Sequence, residues 1–161
     1  MYQMTIFFTI SMRSAEALLI AIHEAYPFSP PSQLSSFPGA VSLQYLGAVH
    51  IYFGRRSGKF SSTPDLTITG QETFDNFGYT LKAADVNQDG YKDVIIASPF
   101  SPSGGRQRGH VDIVLAQADQ AAIKRSISVT GSQDYEWFGY AVDFVVFQKR
   151  SLMFVGAPAY R

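Results

Sequence analysis

Three pairs of short motifs recur along this chain at almost one spacing, and that spacing constrains the fold more than any other feature. The segments GAVHIYFG (residues 47–54) and GHVDIVLA (109–116) share a Gly-x-Val-x-Ile frame at an offset of 62. TITGQETFDNFGY (67–79) and SVTGSQDYEWFGY (128–140) share Thr-Gly and then Phe-Gly-Tyr, at an offset of 61. VIIASPF (94–100) and LMFVGAPAY (152–160) share an apolar run closed by a small residue and proline, at an offset of 59. A period of this length marks a repeat architecture, in which one unit cannot bury its faces without its neighbours.

One period resolves into four short strands. Residues 78–84 form the first, opened by a Phe-Gly pair, and 85–93 form a polar loop. Residues 94–97 are four consecutive apolar side chains, the pattern of a strand buried on both faces. A turn-rich connection follows, then strands at 111–115 and 126–130 with alternating apolar residues. Four antiparallel strands recurring at this period read as a propeller blade. Residues 49–53 and 66–69 are then strands three and four of a preceding blade, and 140–147 and 152–156 are strands one and two of a following one. The expected fold is all-β: a partial β-propeller of about two four-stranded antiparallel blades, with an irregular or short helical N-terminal segment. Residues 41–161 are assigned to the propeller, and residues 1–40 to an unassigned segment ending in a Pro/Ser-rich linker. Propellers close with about four or more blades, so the chain is expected to be a piece of something larger.

Bulk properties exclude several classes. The chain has 161 residues, 46% apolar and 16% charged, and so can bury a core. Formal net charge is zero, which gives no electrostatic case for nucleic acid or an anionic membrane. The absence of cysteine excludes a disulfide scaffold, a zinc–thiolate centre and a thiol nucleophile. No stretch is apolar for long enough to span a bilayer as a helix. The N-terminal apolar run, Ile6 to Ile10, has no preceding Lys or Arg, which argues against a signal peptide. An amphipathic helix is expected over about residues 14–26, with Ala17, Leu18, Ile20, Ala21 and Ile22 on its apolar side.

The loop at 85–93 carries the chemistry. Asp85, Asn87 and Asp89 stand at positions 1, 3 and 5, Gly90 at 6, Tyr91 at 7 and Asp93 at 9. Alternate positions of a tight turn aim their oxygens at one point, and three carboxylates there repel one another unless a cation lies between them. An all-oxygen donor set favours calcium over zinc or copper, with Tyr91 offering its carbonyl. An EF-hand requires a bidentate Glu at position 12 and flanking helices; here position 12 is Ile96 and the flanks are strands. A polar Asn/Asp/Gly hairpin without metal is the plain alternative. A catalytic carboxylate pair is disfavoured, because both groups would share one solvated loop with no partner to separate their pKa values.

Phe77-Gly78, the Asp85-x-Asn87-x-Asp89-Gly90-x-x-Asp93 loop and Ala97-Ser98-Pro99 together resemble the FG-GAP repeat of integrin α-type propellers. The second copy keeps Phe138-Gly139 and Gly156-Ala157-Pro158 but has only Asp143 between them, so no second metal site is expected. Residues 63–69, 98–109 and 137–140 further resemble the C-terminal propeller of the glycosylphosphatidylinositol-specific phospholipase D family, a likeness that covers about residues 45–161. That resemblance implies a structural calcium ion and a secreted, extracellular parent. It implies as partners the remaining blades and an upstream zinc-dependent hydrolase domain that cleaves GPI anchors, with GPI-anchored proteins or lipid headgroups as further ligands. Zinc belongs only to that absent domain, and the parent family's enzyme activity has no catalytic residue in this chain. The alternative is an integrin α-like adhesion module that binds a protein ligand.

The remaining candidates carry plainer readings. His23, His50 and His110 share no metal-ligand spacing, and the last two are read as outward-facing or packing residues of repeated third strands. Arg106 and Arg108, in GGRQRG, could bind an anion but fit an ordinary strand connection. Phe74, Phe77, Tyr79, Trp137, Phe138 and Tyr140 recur at equivalent positions, which favours packing between blades over a ligand platform. Ser98 lacks a nucleophile-elbow frame.

Overall fold

A computed structural model describes residues 4–9, 18–23, 46–52, 61–72, 74–116 and 124–161. Every regular element among them is a strand: β1 Met4–Thr9, β2 Leu18–His23, β3 Ala48–Ile51, β4 Leu66–Thr69, β5 Thr80–Ala84, β6 Asp93–Ser98, β7 His110–Leu115, β8 Lys124–Thr130, β9 Ala141–Phe147 and β10 Arg150–Gly156. The central blade is a four-stranded antiparallel sheet in the order β5-β6-β7-β8. The pair β3-β4 precedes it and the hairpin β9-β10 follows it. All eight strands expected from residue 49 onwards are present, shifted by two residues or fewer at most ends.

The helix expected over residues 14–26 does not form over 18–23; residues 14–17 and 24–26, and the Pro/Ser-rich stretch after them, lie outside the described residues. Residues 18–23 are strand β2, paired antiparallel with β1 from Met4↔His23 to Thr9↔Leu18. Consecutive apolar residues with β-branched Ile20 and Ile22 suit an extended segment flanked by other strands better than a solvated helix. β2 also runs beside β3, so the hairpin occupies the side of β3-β4 where strands one and two of a blade would lie.

The core lies in two layers, one on each face of the central blade. β6 is buried along its whole length. Val94 and Ile96 point towards the first blade, where they join Leu81, Val114, Val49, Ile51 and Phe77. Ile95 and Ala97 point the other way, into a layer with Val111 and Ile113 closed by Val142, Phe144, Met153 and Val155. The apolar run at 94–97 is thus a strand that serves both interfaces, as its lack of alternation implies. Beyond the second layer the outer face of β9-β10 exposes Val145, Phe147, Leu152 and Phe154.

The blades are joined backbone to backbone. The Phe77 amide donates to the Leu46 carbonyl (3.2 Å), and the Phe138 amide to the Arg108 carbonyl (2.9 Å). Next to each acceptor a glycine, Gly47 (φ +76°) or Gly109 (φ +79°), lies against the Phe-Gly peptide. A Cβ on Gly47 would stand 2.6 Å from the Phe77 nitrogen, and one on Gly109 would overlap the Phe138 carbonyl oxygen and stand 2.8 Å from its nitrogen. Both glycines are required twice, by a left-handed φ and by the closeness of a neighbouring backbone. The same glycines accept the amides of Gly70 (3.0 Å) and Gly131 (2.9 Å), which close strands four onto strands three.

Gly109→Ala is expected to cost about 3 kcal/mol or more, combining left-handed strain with overlap. Gly90→Ala, with φ +93° but nothing within 4 Å of the new Cβ, is expected to cost only about 1–2 kcal/mol. Urea denaturation of the full chain in EDTA distinguishes them, and equal losses would contradict the backbone joint.

Candidate metal-binding loop

The 85–93 loop connects β5 to β6, at the end of the blade opposite the Phe-Gly connections. Its polar side chains fold the loop on itself. Asp85 accepts the amides of Asp89 (3.0 Å) and Gly90 (3.0 Å), one on each oxygen. Asn87 also accepts the Asp89 amide (3.1 Å) and donates through its side chain to Asp89 Oδ2 (2.8 Å). Asp89 Oδ1 accepts the Tyr91 amide (2.8 Å). Left-handed φ angles at Gln88 (+61°) and Gly90 (+93°) make this curl possible.

Asp93 does a different job. It is fully buried at the first position of β6. One oxygen accepts the Val86 amide (2.8 Å), across the base of the loop, and the other accepts the Ala116 amide (2.9 Å), just past the end of β7. Burial pushes its carboxyl up from the ordinary value; the Ala116 and Val86 amides counter part of that, and the nearby Asp89 carboxylate adds to it.

Asp85, Asn87 and Asp89 are therefore brought together in one loop, with Tyr91 tied to Asp89 through its amide and Asp93 beneath them. Among the described residues no group of three or more His, Cys, Asp or Glu side chains converges as a metal cage. Backbone amides occupy the carboxylates in this arrangement. The donor chemistry still fits a hard cation: every side-chain donor is oxygen, and the buried Asp93 beside Asp89 is a pair that positive charge relieves.

The loop also touches the next blade. Gln88 donates to the Lys149 carbonyl (3.1 Å) and stands 3.2 Å from the Ser151 hydroxyl, while Ser151 donates to the Val86 carbonyl (2.7 Å). Val86 packs into the second core layer. The corresponding β9-β10 turn is cut to Gln148 and Lys149, both at left-handed φ (+49° and +63°), a tight hairpin with no acidic insertion. Sequence reading missed Gln88 and Ser151, because Gln88 falls outside the loop's Asp/Asn alternation and the two are 63 positions apart.

At the other end of the blade, Tyr79, Phe100, Trp137 and Tyr140 pack edge-on, tilted or stacked, with centroids 5.3–6.5 Å apart. Phe77 and Phe138 enter the two core layers, so most of these aromatics join blades, while Phe74 stays half exposed. Arg108 Nε lies 2.7 Å from Asp134, whose carboxyl its hydrogen bond holds below the ordinary value. The GGRQRG segment is thereby tied to the next connection, as an ordinary strand link would be. His110 does not face outwards, since its side chain is only 12% exposed.

A family profile described as the FG-GAP repeat matches residues 77–114. Phosphatidylinositol-glycan-specific phospholipase D from Homo sapiens is 40% identical over 129 residues, 76% of this chain and 15% of that protein. The Dictyostelium discoideum protein of the same name is 38% identical over 131 residues, 74% of this chain and 14% of its own length. Integrin alpha-5 from Xenopus laevis is 34% identical over 102 residues, 60% of this chain and 9% of that protein. The chain thus spans about one seventh of the length of the phospholipases it matches.

Asp93→Ala is expected to leave the two part-buried amides of Val86 and Ala116 without acceptors and to cost about 2–4 kcal/mol in EDTA. Asp143→Ala, which removes an exposed partner of Lys82 and an exposed acceptor of the Phe144 amide, is expected to leave the urea midpoint nearly unchanged. A small effect at Asp93 would show that the loop base is not held as described.

Proposed function

Because residues 77–114 are an FG-GAP repeat set in blades that resemble those of GPI-specific phospholipases D, we propose that the chain is a non-catalytic, calcium-stabilised β-propeller fragment of such a protein. The observation that carries this reading is the Asp85-x-Asn87-x-Asp89-Gly90-x-x-Asp93 loop, placed at a hairpin tip inside that repeat. Asp85, Asn87, Asp89 and Asp93 would hold the ion through side-chain oxygens, and Tyr91 through its carbonyl. Bound calcium supplies positive charge to three carboxylates that a nine-residue loop otherwise holds close together. Gly90 lets the loop turn, and Asp93 ties its base to β7 through Ala116.

Hydrolysis of glycosylphosphatidylinositol anchors belongs, on this reading, to a separate zinc-dependent domain of the parent, and the parent is extracellular. The propeller's partners are the remaining blades and that domain, with GPI-anchored proteins or lipid headgroups as further ligands. No helix among the described residues is long and apolar enough to cross a membrane. The likeness to integrin alpha chains favours a second reading, an adhesion module that presents loops of its upper face to a protein ligand. The two readings differ in the sequence that flanks this segment and agree on the loop.

Calcium affinity is expected in the range of extracellular modules, about 10⁻⁴ to 10⁻³ M. Calcium at about tenfold its dissociation constant then stabilises the fold by about 1.4 kcal/mol. Terbium luminescence on the full chain tests the site. Binding should be lost in Asp89→Ala and Asp85→Ala, and the same signal in wild type and both variants would refute the assignment.

A further inference from the structure

His110 stands between two buried carboxylates that come from different blades. It opens β7, and its ladder partners, Ser98 on β6 and Thr130 on β8, share its face of the sheet. Asp112 lies two residues on, on the same face, with Oδ2 3.3 Å from His110 Nε2. Asp75 arrives from the connection between β4 and β5, with Oδ1 3.6 Å from His110 Nδ1. The side chains of Asp75 and Asp112 are 3% and 1% exposed. Their other oxygens have fixed partners: Asp112 Oδ1 accepts the Ser128 hydroxyl, and Asp75 Oδ2 accepts the Gln71 amide. Among the described side chains, the polar groups that β6 and β8 present on this face are the uncharged hydroxyls of Ser98, Ser128 and Thr130. The neighbouring cation, Arg108, is engaged with Asp134.

Two carboxylates removed from water are strongly unfavourable unless positive charge shares the site. A neutral imidazole carries one N–H and serves only one of them; a protonated ring carries two and serves both. We propose that Asp75, His110 and Asp112 form a proton-dependent clamp, in which the charged imidazole ties the first blade's β4–β5 connection to the central sheet. The repeat has no second copy of it. At the offset of 62, Ala48 takes the place of His110 and His50 that of Asp112, and His50 meets Thr67 instead (2.9 Å).

The sign follows from linkage. The ring binds its proton more tightly folded than unfolded, so the clamp's contribution is full below the unfolded histidine value, about 6.5. It fades as pH rises through the higher folded value. The joint between the first two blades therefore loosens in alkali while the joint at Gly109 and Phe138 does not.

Imidazole ¹H–¹⁵N spectra of the full chain from about pH 5 to 10 test this directly. One of the three rings, the one missing in His110→Gln, should titrate at least about one unit above 6.5. The urea midpoint should fall over that range in wild type and stay flat in His110→Gln. A His110 ring that titrates at or below the free value, or an equal fall in both proteins, would overturn the clamp. Should His110→Gln fail to fold, Asp75→Asn must lower the midpoint of that same ring, and an unmoved midpoint would overturn the proposal equally.

Discussion

The contact between the Phe-Gly backbone entering one blade and the third-strand glycine of the blade before it is what the rest of the structure depends on. Phe77 on Leu46-Gly47 and Phe138 on Arg108-Gly109 are the same joint made twice. Each fixes where a first strand starts relative to the neighbouring sheet. The packing of whole faces follows: Val94 and Ile96 against Val49 and Ile51 on one side, Ile95 and Ala97 against Val142 and Val155 on the other. Since side chains alternate across a sheet, a slip of one residue at the joint would exchange these two sets and misplace both layers.

Buried carboxylates hold the polar connections around that joint. Asp75 and its repeat equivalent Glu136 reach back to the amides at the start of their own loops, Gln71 in one and Ser132 and Gln133 in the other. Asp93 does the same for the opposite end of the blade, fastening the acidic loop to β7. The acidic loop is then linked to the following hairpin through Gln88 and Ser151. A cation at the loop would act on a segment that already bridges two blades, so its effect on stability would extend past the nine residues that hold it.

Much of this was legible in the sequence, for a physical reason. A repeat imposes the same backbone constraints twice, so its glycines, its Phe-Gly pairs and its small-Pro turns stand out by recurrence. The unbroken apolar run at 94–97 named the doubly buried strand. The N-terminal segment has no second copy, and there the helical pattern of Ala17 to Ile22 competed with a β-branched apolar run that pairs as a strand. The candidate loop residues stood out as an alternation of Asp and Asn. Their division of labour was not, because Asp93's burial depends on an amide at Ala116, 23 residues away. The Asp75–His110–Asp112 group escaped for the same reason: it is assembled across a joint, 35 positions apart, and leaves no local spacing to read.

Amide hydrogen exchange tests the joint most directly. If it carries the fold, the amides of Phe77 and Phe138 exchange as slowly as that of Ile95 at the centre of β6, although both precede their strands. Exchange at those two positions as fast as at Asp89 in the exposed loop would contradict the account.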